Sequence, residues 1–223
     1  MHCVLIKQLL NNNIMIKVCL ADNYPVVHYG VKAYFAASSE ISVVANAGNF
    51  NLVKEALKTK DIDVLVIDLD LDGLASVLEI KALIRDNPNI KVLIFSNYSE
   101  NMYAPNCIKM GVSGFLNKAE KMETLSSSII KISNGEIILN ETIKKNLEII
   151  GSQHKSERLH RKLSTREIEV LRYLSDGKKN NEIAEILGLN EKTVSTYKLR
   201  LLIKLNVTNL LDLVNKAKTL ATV

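Results

Sequence analysis

The sequence predicts an α/β module, a doubly wound (βα)5 parallel sheet, followed by a small all-α module of four helices. Three observations predict it. Short apolar runs alternate with helical periods from Ile16 to Ile132, the pattern of parallel strands joined by helical crossovers. The last third carries four short amphipathic segments with helix start and stop signals. Charge divides the same way: Lys and Arg against Asp and Glu give about −2 over residues 16–140 and about +6 over residues 158–223. The basic part is where an anionic polymer would dock.

The elements follow in order. Ile16–Ala21 is a short apolar strand, and Pro25 sits at the first position of a helix that runs through Ala36. Ile41–Ala47 reads as a strand and Leu52–Leu57 as a helix. Val64–Ile67 is apolar at every position, so it predicts a strand buried on both faces. A helix over Leu74–Ile84 ends before Asn87-Pro88, and Val92–Phe95 is the fourth strand. Gly111 closes a helix over Tyr103–Met110. Gly114–Leu116 is a fifth, short strand, and Asn134-Gly135 closes a helix over Glu123–Ile132.

Beyond residue 135 polar residues dominate, and a linker is expected over residues 135–158. Residues 1–15 read as an N-terminal extension, residues 16–134 as the first module and residues 159–223 as the second. In that second module Ser164 and Glu167 have capping-box spacing. Asn181–Leu187 is a second helical segment, ended by Gly188. Asn190 then caps a helix from Glu191 to Lys204, and Leu210–Leu220 is the last. A helix, a tight glycine turn and a helix with a polar outer face form a helix-turn-helix, whose second helix can read the major groove.

Bulk properties exclude several classes. At 223 residues and 47% apolar content, the chain can bury a core without disulfides. Cys3, Cys19 and Cys107 have neither metal-ligand nor disulfide-framework spacing, and the four histidines are scattered. The sequence shows no secretory signal and no stretch of membrane-spanning length, so a cytoplasmic protein with no membrane partner is expected.

Four polar stops fall at predicted strand ends: Asp22-Asn23, Asp68, Ser96 and Asn117-Lys118. An open parallel sheet binds ligands at those carboxyl ends. Two carboxylates, a hydroxyl and an ammonium suit phosphoryl transfer to a carboxylate, assisted by a hard divalent ion. Asp68 is then the nucleophile, Asp22 holds the ion, and Lys118 and Ser96 bond phosphoryl oxygens.

The same stretch offers two other chemistries. Asp68-Leu-Asp-Leu-Asp-Gly73 with Glu79 satisfies a calcium-loop pattern, but such a loop leaves a helix, whereas Val64–Ile67 reads as a strand. Asp70-Leu-Asp-Gly73 matches the motif of a haloacid-dehalogenase-like phosphatase, which is the enzyme alternative; it leaves the C-terminal third unexplained.

On the Glu191–Lys204 helix, Val194, Tyr197, Leu201 and Leu205 recur at core spacing. Lys192, Ser195, Thr196 and Leu199 share another face, flanked by Lys198 and Arg200. Ser195 and Thr196 are expected at bases or phosphates, and Lys178, Lys179 and Lys198 at phosphates. Asn181, Lys192, Thr193 and Arg200 complete the expected DNA contacts.

These motifs carry a family resemblance. Residues 16–134 resemble a response-regulator receiver domain, and residues 159–221 resemble a LuxR-type helix-turn-helix. Together they resemble the NarL/FixJ class of transcription factors. Thr193-Val-Ser-Thr-Tyr-Lys-Leu-Arg-Leu-Leu-Ile-Lys-Leu-Asn206 is similar to the BvgA-like subgroup. The resemblance implies Asp68 as phospho-acceptor, Ser96 as switch hydroxyl, Phe115 as switch aromatic and Lys118 as the pocket cation. It implies Mg2+ held by Asp22, Asp68 and Asp70. The family pattern has a second acidic residue where Asn23 stands; an amide brings no charge, so ion affinity is expected to fall. Asp72 stands where the family has proline. The implied role is a two-component transcription factor without enzymatic activity. The implied partners are promoter half-sites in DNA, a sensor histidine kinase or phosphotransfer protein, RNA polymerase, and a second copy of the chain through the last helix. A receiver that switches without phosphate is the alternative within this class.

Overall fold

The computed structural model describes residues 15–139 and 163–222. The expected extension (residues 1–15) and linker (residues 135–158) therefore lie outside the described residues, apart from Met15 and residues 135–139. Five strands and five helices alternate as expected: β1 (Ile16–Ala21), α1 (Pro25–Phe35), β2 (Ile41–Ala47), α2 (Phe50–Thr59), β3 (Val64–Ile67), α3 (Val77–Asp86), β4 (Lys91–Ser96), α4 (Glu100–Lys109), β5 (Gly114–Asn117) and α5 (Met122–Ser133). The strands form one parallel sheet in the order β2-β1-β3-β4-β5. Strand order reverses between β1 and β3, so the tips of those two strands lie side by side at the switch point. The ladder continues past them, with Asp68 N–H donating to the Ala21 carbonyl at 2.9 Å.

Strand residues divide by parity between two apolar layers. Val18, Leu20, Val64, Val66 and Leu93 pack with Phe35 of α1 and with Leu125, Ile129 and Ile132 of α5. Cys19, Leu65, Ile67, Val92 and Ile94 pack with residues of α2, α3 and α4 on the other side. Past α5, Ile138 bridges to Gly114 at the sheet edge. A Cβ at Gly114 would meet Ile138 Cβ and Leu93 Cδ1 at 3.0 Å, so any side chain there would have to push them aside.

Several helix starts differ from the sequence expectation: α4 begins at Glu100 rather than Tyr103 and α5 at Met122 rather than Glu123, and two others differ because of a cap. The third helix begins at Val77 rather than Leu74, because Ser76 caps it in a capping box with Glu79. Leu74 is buried in the loop before it. Asn49 accepts from the Leu52 N–H at 3.0 Å, and α2 therefore begins at Phe50. Apolar periodicity locates a helix, but its cap fixes the first residue.

The second module comprises α6 (Thr165–Ser175), α7 (Asn180–Leu187), α8 (Glu191–Leu205) and α9 (Leu210–Thr222). The Ser164–Glu167 capping box forms as its spacing predicts. Gly188 closes α7 in the left-handed conformation (φ 63°), and Asn190 caps α8. Val194, Leu201 and Leu205 of α8 are buried against α6 and α7. Tyr197 is only half-buried beside them.

The modules are not separate bodies. Leu163, Ile168, Leu171, Leu174 and Leu187 share one continuous apolar core with Leu69, Leu71, Met102 and Tyr103. Helix α6 packs against its own module on one side and the first module on the other, and every residue from Glu167 to Leu174 is buried.

Candidate functional site

The four polar stops converge. Ser96 Oγ donates to Asp68 Oδ1 at 2.5 Å, and Lys118 Nζ bonds Asp68 Oδ2. Lys118 Nζ also pairs with Asp22 Oδ2 at 2.5 Å. Asp22, Asp68 and Ser96 are all buried. Burial alone would lower the Lys118 pKa, but the hydrogen bonds to Asp22 and Asp68 outweigh it and hold the ammonium above the ordinary lysine range. One cation thus bridges two buried carboxylates at the sheet's switch point. Phe115 does not join this polar group; it is 1% exposed and faces the core layer that holds Ile94 and Met102.

The expected ion-binding trio is not brought together. Asp22 and Asp68 share Lys118, but the Asp70 carboxylate turns to Tyr98, whose hydroxyl donates to it at 3.2 Å. Among the described residues, no three of His, Cys, Asp and Glu cluster as a metal site. The Asp22 and Asp68 carboxylates still fit a hard divalent ion by donor type. Asn23 is occupied elsewhere. Its Nδ2 donates to the Asp70 carbonyl at 2.6 Å, and its Oδ1 accepts from the Asp72 N–H at 2.7 Å. A carboxylate accepts the second bond but has no proton to give in the first. Asn23 is therefore an amide clamp on the loop after Asp68, a role the sequence did not reveal.

The same contacts place the residues of the calcium-loop and phosphatase patterns in other bonds. The loop leaves a strand, and Glu79 Oε2 accepts from the N–H groups of Ala75 and Ser76 at 2.8 and 3.2 Å. Asp70, the attacking residue of the phosphatase reading, faces a tyrosine hydroxyl.

Helix α6 touches the loop after Asp68. Arg172 Nη1 donates to the Leu69 carbonyl at 3.1 Å, and Tyr173 Oη donates to the Ala75 carbonyl at 3.0 Å. Glu169 Oε1 accepts from Ser76 Oγ at 2.5 Å and from the Val77 N–H at 2.9 Å, so a carboxylate of the second module caps α3 of the first. Arg166 pairs with the other Glu169 oxygen at 2.9 Å. The Arg172 guanidinium lies 4.3 Å from the Tyr173 ring centroid and 5.5 Å from that of Tyr98. Sequence reasoning missed Glu169, Arg172 and Tyr98. The available signal was two charges, Glu169 and Arg172, inside an apolar-rich helix, and these read equally well as a solvated face.

Most of the DNA-reading candidates lie on the surface. Lys178, Lys179, Asn181, Lys192, Ser195, Thr196 and Arg200 are exposed, and Lys198 is half-buried. Thr193 is the exception: it is half-buried, and its Oγ1 donates to the Asn190 cap oxygen at 2.8 Å. Asn180 Nδ2 donates to Ser195 Oγ at 3.0 Å and ties α7 to α8. Glu167 pairs with Lys204 at 2.8 Å and ties α6 to α8.

Known proteins resemble this chain along nearly all of its length. Residues 18–130 match the family "Response regulator receiver domain", and residues 161–217 match "Bacterial regulatory proteins, luxR family". A putative transcriptional regulator of Pseudomonas aeruginosa is 31% identical over 207 residues, covering 92% of this chain and 98% of its own. The Fimbriae Z protein of Escherichia coli K12 is 29% identical over 205 residues, covering 90% and 95%. The RcsB response regulator of Salmonella typhimurium superposes with a TM-score of 0.77 at 23% identity, covering 93% and 98%. RcsB bound to the promoter rprA with the phosphomimetic BeF3- gives 0.75 at 24% identity, covering 92% and 98%. None of the described helices is long and apolar enough to cross a membrane. With both family matches in chain order and the relatives spanning nearly its whole length, this chain belongs to the response regulators, as a DNA-binding transcription factor with a receiver domain and a luxR-type helix-turn-helix.

Proposed function

We propose that this regulator accepts a phosphoryl group on Asp68 and in that state binds promoter half-sites through α8 as a dimer. The observation that carries the reading is the bonding of Asp68 to both Ser96 and Lys118. An Asp68 carboxylate oxygen attacks phosphorus in line. The bond from phosphorus to the donor's leaving group breaks, and its electron pair departs with that group. Lys118 and Ser96 transfer their hydrogen bonds to phosphoryl oxygens. A bound Mg2+, held by Asp22 and Asp68, would offset the oxygens' negative charge. The donor is a sensor histidine kinase or a phosphotransfer protein. We assign the receiver to residues 16–134, the linker to 135–158 and the DNA-binding domain to 159–223.

The signal travels through the α6 contact. Ser96 leaves Asp68 for the phosphoryl group, and the neighbouring Tyr98 contacts both Asp70 and Arg172. Two arrangements of this contact, with populations set by phosphate, are sufficient. Lys178, Lys179, Lys198 and Arg200 then meet phosphates, and the exposed face of α8 meets bases.

Intact-mass measurement after treatment with acetyl phosphate and Mg2+ tests the first step. One added phosphoryl group is expected on the parent chain and none on Asp68→Asn. No added mass on the parent chain sinks the proposal. Phosphate-independent DNA binding is favoured by one observation, the Asn23 clamp that already closes the loop. Equal mobility shifts for the parent and Asp68→Asn, with and without donor, select that reading.

A further inference from the structure

Helix α8 presents an unusual surface to a groove. Successive residues of a helix are about 100° apart. On that wheel Lys192, Ser195, Thr196, Leu199 and Ile203 fall on one side, opposite the buried Val194, Leu201 and Leu205. Leu199 is 57% exposed and Ile203 is 71% exposed. Lys198 and Arg200, one residue before and after Leu199, flank this stripe about 100° to either side. That is the placement needed for cations to meet the two phosphate backbones bordering a groove about 12 Å wide.

Hydrogen bonding along the stripe is largely internal. Ser195 Oγ donates to the Glu191 carbonyl at 3.0 Å, and Thr196 Oγ1 donates to the Lys192 carbonyl at 3.0 Å. Each hydroxyl has a single proton, and in this arrangement it is given to the helix backbone, which leaves the two oxygens as acceptors toward a base. Between Lys192 at its start and Ile203 at its end, the stripe carries no Asn, Gln, Arg or Lys, the side chains that pair bidentately with adenine or guanine. It offers a threonine methyl and a leucine. The base-edge feature that an apolar contact recognises in the major groove is the C5 methyl of thymine.

We propose that Leu199, with the Thr196 methyl, is a specificity determinant that selects thymine by burying its C5 methyl. This rests on the reading of α8 as the groove helix. Donor-rich contacts at the edges position the helix, and the apolar centre chooses the base.

The test uses the full chain treated with acetyl phosphate and a random-sequence duplex library. The most enriched duplex is then remade with uracil in place of thymine, which removes only the methyl. Thymine is expected at the enriched core positions. Uracil should weaken binding about fourfold per contacted methyl, the equivalent of one buried carbon. Leu199→Ala should bind thymine and uracil duplexes almost equally. Any effect of uracil on DNA shape would persist in that variant, so the comparison isolates the side chain. Leu199→Lys introduces a donor and should move the preference toward guanine. Equal affinity of the parent chain for thymine and uracil duplexes overturns the proposal, as does a uracil penalty that Leu199→Ala retains. A library with no enriched sequence overturns the reading of α8 itself and the thymine inference with it.

Discussion

Arg172 of the DNA-binding domain donates a hydrogen bond to the carbonyl of Leu69, the residue directly after Asp68 (Nη1···O 3.1 Å). The two domains are thus joined by a hydrogen bond one residue from Asp68. Arg172 is 9% exposed, and its Nε has no hydrogen-bond partner among the described residues. A buried donor without a partner costs free energy. The contact is therefore imperfectly satisfied, which suits a joint that must open.

Arg172→Ala should loosen the α6 contact. Buried bonds to charged groups contribute about 1.5–3 kcal/mol each, so the docked population should fall by roughly 10- to 100-fold relative to the open one. Small-angle scattering of the unphosphorylated protein should show a larger radius of gyration. Mobility shifts should show DNA affinity that depends less on phosphodonor. Glu169→Gln, which keeps the shape but removes the charge capping α3, should act in the same direction by a smaller amount. An unchanged radius and unchanged donor dependence in both variants would show that α6 does not carry the signal.

Asn23→Asp should have opposite effects with and without Mg2+. Without the ion, the new carboxylate faces the Asp70 carbonyl and the amide donor is gone, at a cost of about 1–3 kcal/mol. With the ion, a second acidic group beside Asp22 should tighten Mg2+ binding, on the order of tenfold or more. Melting in EDTA and calorimetric titration with Mg2+ report the two effects. A variant as stable as the parent in EDTA would count against the clamp.

Acid should destabilise the DNA-binding domain through Glu167. Burial raises the pKa of this carboxyl, but the bonds from Lys204 and Ser164 outweigh it and hold it below the ordinary value of 4.5. The unfolded chain therefore binds this proton more readily than the folded one. The stabilisation is present above pH 4.5 and is lost as pH falls through the lower folded value. Melting temperature should decline below that pH, and Glu167→Gln should flatten the decline while lowering stability at neutral pH. A parallel decline in both proteins would assign the acid sensitivity to other groups.

Gly114→Ala should destabilise the receiver by about 1–3 kcal/mol, because its methyl group meets Ile138 and Leu93 at 3.0 Å. Denaturant unfolding measures this. A neutral result would mean that the segment around Ile138 moves aside at no cost.

Much of this protein was legible in its residue order. All five strands and the helices between them follow from period and punctuation, and the pocket residues Asp22, Asp68, Ser96 and Lys118 are the polar stops of four strands. What the residue order did not show lies where a cap or a partner decides. Leu74 has the helical period, yet Ser76 and Glu79 start the helix later. Asp70 has the type and spacing of an ion ligand, yet Tyr98 takes its carboxylate. Thr193 is a polar residue near the start of the reading helix, yet it completes the Asn190 cap.

What the sequence determined by itself is local or repeated: strand and helix periods, caps, and the rule that the tips of parallel strands meet at one edge. What only the tertiary structure decided is pairwise and long-range. Glu169 lies on Ser76 and Arg172 on Leu69, partners separated by 93 and 103 positions. No periodicity encodes such a meeting, because a charged residue on a helix looks the same whether its outer face meets water or another domain. The choice depends on the free energy of covering that face, which exists only once both surfaces have folded.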